Sequence, residues 1–417
     1  MRWLEPKSVS NIPHAAVVAL LRNAIERQPV NPAHYARLGD AFEKCGRFSD
    51  GVDAYETAAQ KACDGFQAWP QLAKCYLETD RPEAALEACR RGERHRPSAE
   101  LHFQRGRAFL RLRRFTDAKR AFTSAIKTGG VHFPALKMLL APLAKNPHGV
   151  ELLDFCDALP QSYRKTALVR AHRAIALSRI GRTEEALQIV DLDRHFGRVP
   201  FVPPARYGPV EQFNRQLADD ILADRAPGKR SGEDFDLNPS PRFCRSQTFL
   251  ALREFMKSAI DDFLQEADAR GFDGVMPPPP AAGRLYASTT VLRGAGHNGE
   301  HVHAAGYISV VYHVAVPNSV TEAGDHRGAL ALGLCKDYTG GYTPCWGTRY
   351  VKPVAGWLSI FPSHIFHDVV PSRTQSARIS VAADLQPIAS REIASDNDGS
   401  PPTGIPIDLV SPQACII

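Results

Sequence analysis

Two histidines one residue apart, His301-Val302-His303, are followed at a distance by a third, His367, at the end of Phe361-Pro-Ser-His-Ile-Phe-His367. Strand side chains alternate between faces, so on a strand the first two imidazoles point to the same side. A distant third ligand then closes a mononuclear metal site. Arg378-Ile-Ser380 follows, with its guanidinium eleven positions after His367 (378 − 367 = 11). From a strand of the same barrel it can pair bidentately with a carboxylate. The order of these residues is the layout of a metal centre with an anchor for a carboxylate co-substrate.

Each position has a competitor. His364 rivals His367, and strand or turn geometry does not settle an offset of three residues. Glu300, Asp325 and Asp368 are carboxylates that could complete the shell, although Glu300 has the wrong strand parity if His301 and His303 both ligate. Three neutral imidazoles suit Fe(II), and they suit Zn(II) and Cu(II) as well. The preferred set is His301, His303 and His367, against a reading in which the pair is surface decoration on an ordinary strand. His297 and His313 read as ordinary, with His313 facing away from the metal. Arg373 sits in the turn Pro371-Ser-Arg-Thr-Gln-Ser and reads as a solvated loop residue. Arg378 has Ile379 and Val381 on the opposite face, which directs it together with Ser380.

The segments that must hold these residues are strand-like. From Arg284 the hydrophobic period is two, with β-branched enrichment, in Leu285–Leu292, Tyr307–Val316, Leu330–Leu334, Arg349–Val354, Trp357–Phe361 and Ala377–Ala383. Many short strands separated by Gly and Pro predict a sandwich or barrel, and a double-stranded helix of jelly-roll type fits. Before them, amphipathic helices are expected at Val210–Leu222 and Thr248–Ala269. Val199–Ala205 and Ala226–Gly232 read as linker and surface loop, and Pro277–Pro280 as a rigid connector. The loop Cys335–Gly347, aromatic and glycine-rich, reads as a substrate lid or a tolerated insertion.

The N-terminal part has another grammar. Gly39, Ala73 and Gly106 lie 34 and 33 residues apart (73 − 39; 106 − 73), each followed three residues later by an aromatic: Phe42, Tyr76 and Phe109. Turns recur at Gly46-Arg-Phe48, Asp80-Arg-Pro82 and Arg113-Arg-Phe115. Second helices follow with Ala54 and Ala58, Ala84 and Ala88, and Ala118 and Ala121 at helical spacing. Small residues are needed where paired helices approach closely. A later copy surrounds Gly181, and the stretch between is degenerate, interrupted by Pro142, Pro147 and Pro160. The period resembles that of tetratricopeptide repeats. Such a solenoid leaves a concave groove, and the resemblance implies a peptide or protein partner there, or a scaffold for the attached domain.

Bulk composition narrows the setting. With 417 residues the chain exceeds one ordinary core, so two or three domains are expected. A net charge of +6 is spread without a Lys/Arg run, which argues against nucleic-acid binding. No segment approaches the roughly 18 apolar residues of a membrane span, and the first 25 residues hold no signal-type apolar run. The nine cysteines are scattered without CxxC, so neither a disulfide framework nor a zinc ribbon is indicated and a reducing cytoplasmic setting is expected. Cys415-Ile-Ile is one residue short of a prenylation box.

Residues 284–387 resemble Fe(II)- and 2-oxoglutarate-dependent oxygenases, within them a group often found behind tetratricopeptide repeats. The resemblance rests on Gly294–His303, Ser309–Tyr312, Gly356–Ser363, His367 and Arg378–Ser380. It implies iron on His301, His303 and His367, with 2-oxoglutarate held at its far carboxylate by Arg378 and Ser380 and aided by Tyr312 and Tyr286. The family places its distal histidine two residues before a valine and four before a proline, which selects His367 (Val369, Pro371). The sequence departs from the family's HxD or HxE pair at His303, leaving a site one negative charge poorer.

A cupin is the alternative on the same barrel, but His364 and Pro371 stand where a cupin's glycine and asparagine belong. A non-catalytic repeat adaptor is the alternative of another class. The expected architecture is α+β and multidomain: an all-α tetratricopeptide-repeat solenoid (1–195), a linker with a leading helix (196–240), an all-β jelly-roll, or double-stranded β-helix, oxygenase domain with flanking helices (241–395), and a tail (396–417). The expected activity is dioxygenase hydroxylation of a peptide or protein side chain, with small-molecule tailoring as its competitor.

Overall fold

The computed structural model describes residues 1–4, 14–62, 65–224, 230–231, 235–238, 246–273 and 275–388. The tail 396–417 with Cys415, and most of the 226–232 loop, lie outside them. The chain divides into two compact units, Ser8–Leu140 and Met1–Lys7 with Ala141–Ile417. This boundary falls inside the stretch 1–195.

In the first unit the helices are α1 (His14–Arg27), α2 (Pro32–Lys44), α3 (Phe48–Lys61), α4 (Trp69–Glu78), α5 (Pro82–His95), α6 (Ala99–Arg111) and α7 (Phe115–Lys127). They pair as repeats because each turn is built alike. Gly46, Asp80 and Arg113 adopt positive φ of 71°, 56° and 56°. The N–H of the following arginine then donates five residues back, Arg47 to Phe42 (2.9 Å), Arg81 to Tyr76 (2.8 Å) and Arg114 to Phe109 (2.8 Å), which closes the last helical turn. Each arginine lies over the aromatic whose carbonyl it caps, at 4.6, 4.7 and 4.6 Å. The recurring aromatic and the recurring turn are thus two halves of one cap.

The small residues act as expected. A Cβ on Gly39 would come within 2.6 Å of the Tyr55 ring, and that ring is fixed by its hydroxyl donating to Asp40 Oδ1 (2.7 Å). Ala73, Ala58 and Ala121 are buried. In α5, Ala85 enters the core, and Ala84 is only half-buried.

The second unit opens with the end of α8 (Phe133–Lys145), α9 (Gly149–Ala158), α10 (Gln161–Arg164), α11 (Ala167–Arg179) and α12 (Thr183–Ile189). The repeat turn recurs here: Gly181 has φ 78° and Arg182 N–H donates to Leu177 O (2.9 Å). Then come β2 (Gly197–Pro200), a short 3₁₀ turn, α13 (Val210–Ala223), β3 (Arg230–Ser231), β4 (Phe235–Asn238) and α14 (Gln247–Gln265). The remaining elements are β5 (Ala282–Leu292), β6 (Ile308–Ala315), α15 (Asn318–Thr321), β7 (Leu330–Leu332), β8 (Arg349–Val351), β9 (Trp357–Pro362), β10 (His367–Val369) and β11 (Arg378–Pro387), with β1 (Arg2–Trp3) paired to β5.

One sheet has the order β2-β9-β6-β11-β5-β4-β3, and a three-stranded sheet has the order β10-β7-β8. His301 joins the smaller sheet through an isolated bridge to His367. From β5 to β11 the chain therefore crosses repeatedly between the sheets, as a double-stranded β-helix does. The fold class is the expected one, helical repeats followed by a curled two-sheet β domain with flanking helices. Two details differ. Residues 197–200, read as linker, form the edge strand β2 paired with β9, where Pro200 is tolerated because it ends an edge strand. β10 was not expected, since Phe366-His-Asp-Val-Val shows no alternation. Among the described residues no helix is long and apolar enough to cross a membrane.

The core sorts the faces of the large sheet. Val310, Tyr312, Val314, Leu358, Ile360, Ile379, Val381, Ala383 and Leu385 pack with Phe213, Leu217, Leu252, Met256 and Ile260 of α13 and α14. Alternation sends the intervening residues to the inner face.

Gly39→Val should lower the stability of the helical unit by about 1–3 kcal/mol, because the Tyr55 ring cannot retreat without losing Asp40. Gly65→Ala, with open space around the new methyl, should change it by less than about 0.5 kcal/mol. Urea unfolding of the two variants checks the difference.

Candidate metal centre and anion pocket

His301, His303 and His367 converge, with one ring nitrogen of each within 4.8 Å of the others. His303 Nε2 lies 3.2 Å from His301 Nε2 and 3.2 Å from His367 Nε2. The other nitrogen of each ring is held by an oxygen: His301 Nδ1 by Gly299 O (2.7 Å), His367 Nδ1 by Ile365 O (3.0 Å) and His303 Nδ1 by Asp384 Oδ2. Carbonyl and carboxylate oxygens only accept, so each Nδ1 carries the hydrogen and each Nε2 presents its lone pair. Burial, reinforced by the neighbouring His301 and His303, holds His367 well below the usual imidazole pKa.

Three lone pairs facing one another repel unless a cation sits between them. With metal–nitrogen bonds of about 2.1 Å, a separation of this size belongs to cis ligands on one first-row ion. The donor set therefore fits iron, and it fits zinc too.

No carboxylate joins this cluster among the described residues. Glu300 accepts from Tyr338 N–H (2.8 Å), Asp368 binds His297 Nδ1 (2.9 Å), and Asp325 is paired with Arg327 (2.8 Å). His364 is elsewhere, its Nε2 donating to Ile189 O (2.7 Å). A residue that sequence reading missed, Asp384, orients His303; its other oxygen accepts from Ser309 Oγ (2.6 Å), which also meets Ser363 Oγ (2.8 Å). Such outer partners fix the tautomer and raise ligand basicity. The sequence carries a signal for it: Asp384 has the strand parity of Arg378 and Ser380, one residue beyond Ala383, where the alternating pattern ends.

Farther along β11 stands a second polar group. Arg378 is 1% exposed. Its Nη2 lies 3.4 Å from His313 Nδ1, while its Nε and Nη1, His313 Nε2 and Ser359 Oγ have no hydrogen-bond partner. Ser380 is buried and pairs in register with His313. Burial pushes the Arg378 pKa down to about 10, still charged at neutral pH. Burial, then Arg378 and Arg198, keeps His313 neutral. A buried cation with unfilled donors beside hydroxyls has the chemistry to receive a carboxylate.

The remaining expectations divide. Tyr312 points to the other face, where its hydroxyl donates to Asn214 Oδ1 (2.7 Å); it is not brought to the inner face. Tyr286 pairs in register with Asp384 and is exposed. His313, expected to face away, shares the inner face, because alternation along β6 sets it on the face opposite the core residues Tyr312 and Val314 and pairs it with Ser380 in the same register that pairs Ser309 with Asp384. Arg373 is in its turn with φ 53°.

The loop 335–347 is fastened rather than free. Tyr338 OH meets His172 Nε2 (2.9 Å), Tyr342 OH meets Ser178 Oγ (2.8 Å), and Arg179 donates to Thr339 O (2.7 Å) while stacking on Tyr342 (4.6 Å). All three anchors come from α11. Phe366, next to His367, packs on His172 and Tyr338.

His313, His364 and His195 are neutral in the fold, mainly through burial, His195 with its pKa lowered to about 4. Each binds its proton more readily when unfolded, so each contributes stability above the unfolded value of about 6.5 that is lost as pH falls below it. Stability should be flat above about pH 7 and then drop by up to about 1.4 kcal/mol per pH unit for each histidine. Urea midpoints between about pH 7.5 and 5 measure it; a flat profile contradicts the assignment.

Residues 289–384 match the family described as "Putative 2OG-Fe(II) oxygenase", and residues 15–65 and 44–100 match a tetratricopeptide-repeat family. The sequence matches no curated protein. Similar solved structures include a Pseudomonas putida prolyl-4-hydroxylase (16% identity, 48% of this chain and 97% of that one, TM-score 0.29). They also include YrrB, described as a TPR protein with an unusual peptide-binding site (15% identity, 42% and 90%, TM-score 0.32), and MamA (12% identity, 42% and 83%, TM-score 0.28). The chain thus has tetratricopeptide repeats on its N-terminal side and, at 289–384, a domain that matches the 2OG-Fe(II) oxygenase family.

Proposed function

We propose that the chain is an Fe(II)- and 2-oxoglutarate-dependent dioxygenase that hydroxylates a side chain of a peptide or protein held by the repeats. The observation that carries this reading is the pairing, on one inner face, of three convergent imidazole lone pairs with a buried guanidinium whose Nε and Nη1 have no hydrogen-bond partner among the described residues. The family match over 289–384 supports it.

His301, His303 and His367 would hold the metal through Nε2, and Arg378 with Ser380 would receive the far carboxylate of 2-oxoglutarate. When bound, iron and 2-oxoglutarate supply oxygen activation and the attack on an unactivated C–H bond. The chain's own work is to bind, orient and exclude water. Asp384 keeps His303 in the ligating tautomer. His313, neutral and buried, adds no positive charge of its own to the Arg378 pocket. The peptide class of the substrate rests on the repeats, whose families generally bind peptides or proteins.

Purified protein with Fe(II), ascorbate and 2-oxoglutarate should form succinate, and His303→Ala should abolish it. Arg378→Gln should raise the KM for 2-oxoglutarate by about tenfold or more. Asp384→Asn should weaken metal affinity about 10–100-fold, read by competition with a chelating dye. Protein that takes up zinc, rejects iron and makes no succinate would keep the site and discard the oxidation.

A further inference from the structure

A cavity of about 480 Å³ lies against α11, α12 and the connector ahead of β5, within the size range of small-ligand pockets. Its charged lining is Asp157, Arg164, Lys165, Arg170, Arg173 and Glu185, and its apolar wall includes Val169 and Met276. The two acids are already engaged, Asp157 with Arg173 (2.9 Å) and Glu185 with Arg182 (2.5 Å). Among the described residues Arg164, Lys165 and Arg170 have no acidic partner. Arg170 is the unusual one. Its Nε and Nη2 are sealed from solvent with no hydrogen-bond partner, and burial lowers its pKa only to about 10, so it stays charged. Arg170 is partly buried, and a cation drawn out of water without an acidic partner is costly to keep unless something supplies the counter-charge. None of these residues belongs to the histidine cluster, to its hydrogen-bonded partners or to the Arg378 group.

We propose that this cavity is a second binding site, for a small organic anion that seats one carboxylate or phosphate on Arg170 and an apolar body on the aliphatic wall. Arg164 and Lys165, both exposed, stand at its mouth and draw the anion in. The site requires neither iron nor turnover, so it stands or falls separately from the dioxygenase reading.

Calorimetric titration of the full-length protein with benzoate, phenyl phosphate and the neutral benzyl alcohol tests it. At least one anion should bind, and the tighter of the two names the head group. Its affinity should fall by about tenfold or more in Arg170→Gln and by a few-fold in Lys165→Gln, and should be unchanged in Arg378→Gln. Removing a partly buried charge that has no acidic partner should not impair folding. If Arg170→Gln nevertheless fails to fold, the exposed Lys165→Gln decides. Binding of neither anion, equal binding of benzyl alcohol, affinity that survives the substitutions in the cavity, or affinity lost only in Arg378→Gln would overturn the proposal.

Discussion

β11 is paired along both edges, to β5 on one side and β6 on the other, and that double pairing fixes every side chain it carries. A strand in this position cannot slip by one residue without turning its whole apolar set inward. Ile379, Val381, Ala383 and Leu385 lie in the core that α13 and α14 share with the sheet, so Arg378, Ser380 and Asp384 are forced to the inner face. The carboxylate that orients His303 and the buried guanidinium of Arg378 are therefore placed by hydrophobic packing on the opposite side of the same strand.

That arrangement is costly when empty. Three Nε2 lone pairs are held face to face by acceptors on their Nδ1 atoms, and a guanidinium is buried with donors unfilled. Groups of this kind are retained where a ligand completes them, and each such constraint removes freedom the ligand would otherwise have to freeze.

Much of this was legible in the chain itself. The repeats announce themselves because small residue, aromatic and turn recur with one period. The histidine pair announces itself because strand parity is simple. The failures have physical causes. β6 is buried on both faces, so its apolar run does not reveal which residues look inward, and Tyr312 and His313 were assigned to the wrong sides. β10 has three residues and no alternation. Asp384 lay beyond the expected end of its strand.

The helices α11 and α12 carry the repeat grammar of the earlier pairs, with the turn at Gly181, and sequence alone does not separate them from those pairs. Yet Ser178, Arg179 and His172 hold the loop 335–347, and the Ile189 carbonyl accepts a hydrogen bond from His364. Cut away at residue 196, the β domain would be left with a buried imidazole, two tyrosine hydroxyls and a carbonyl stripped of their partners. The heritable module is accordingly larger than its sheet: in any gene fusion that transplanted this chemistry, the last helical pair would have to travel as part of the cargo.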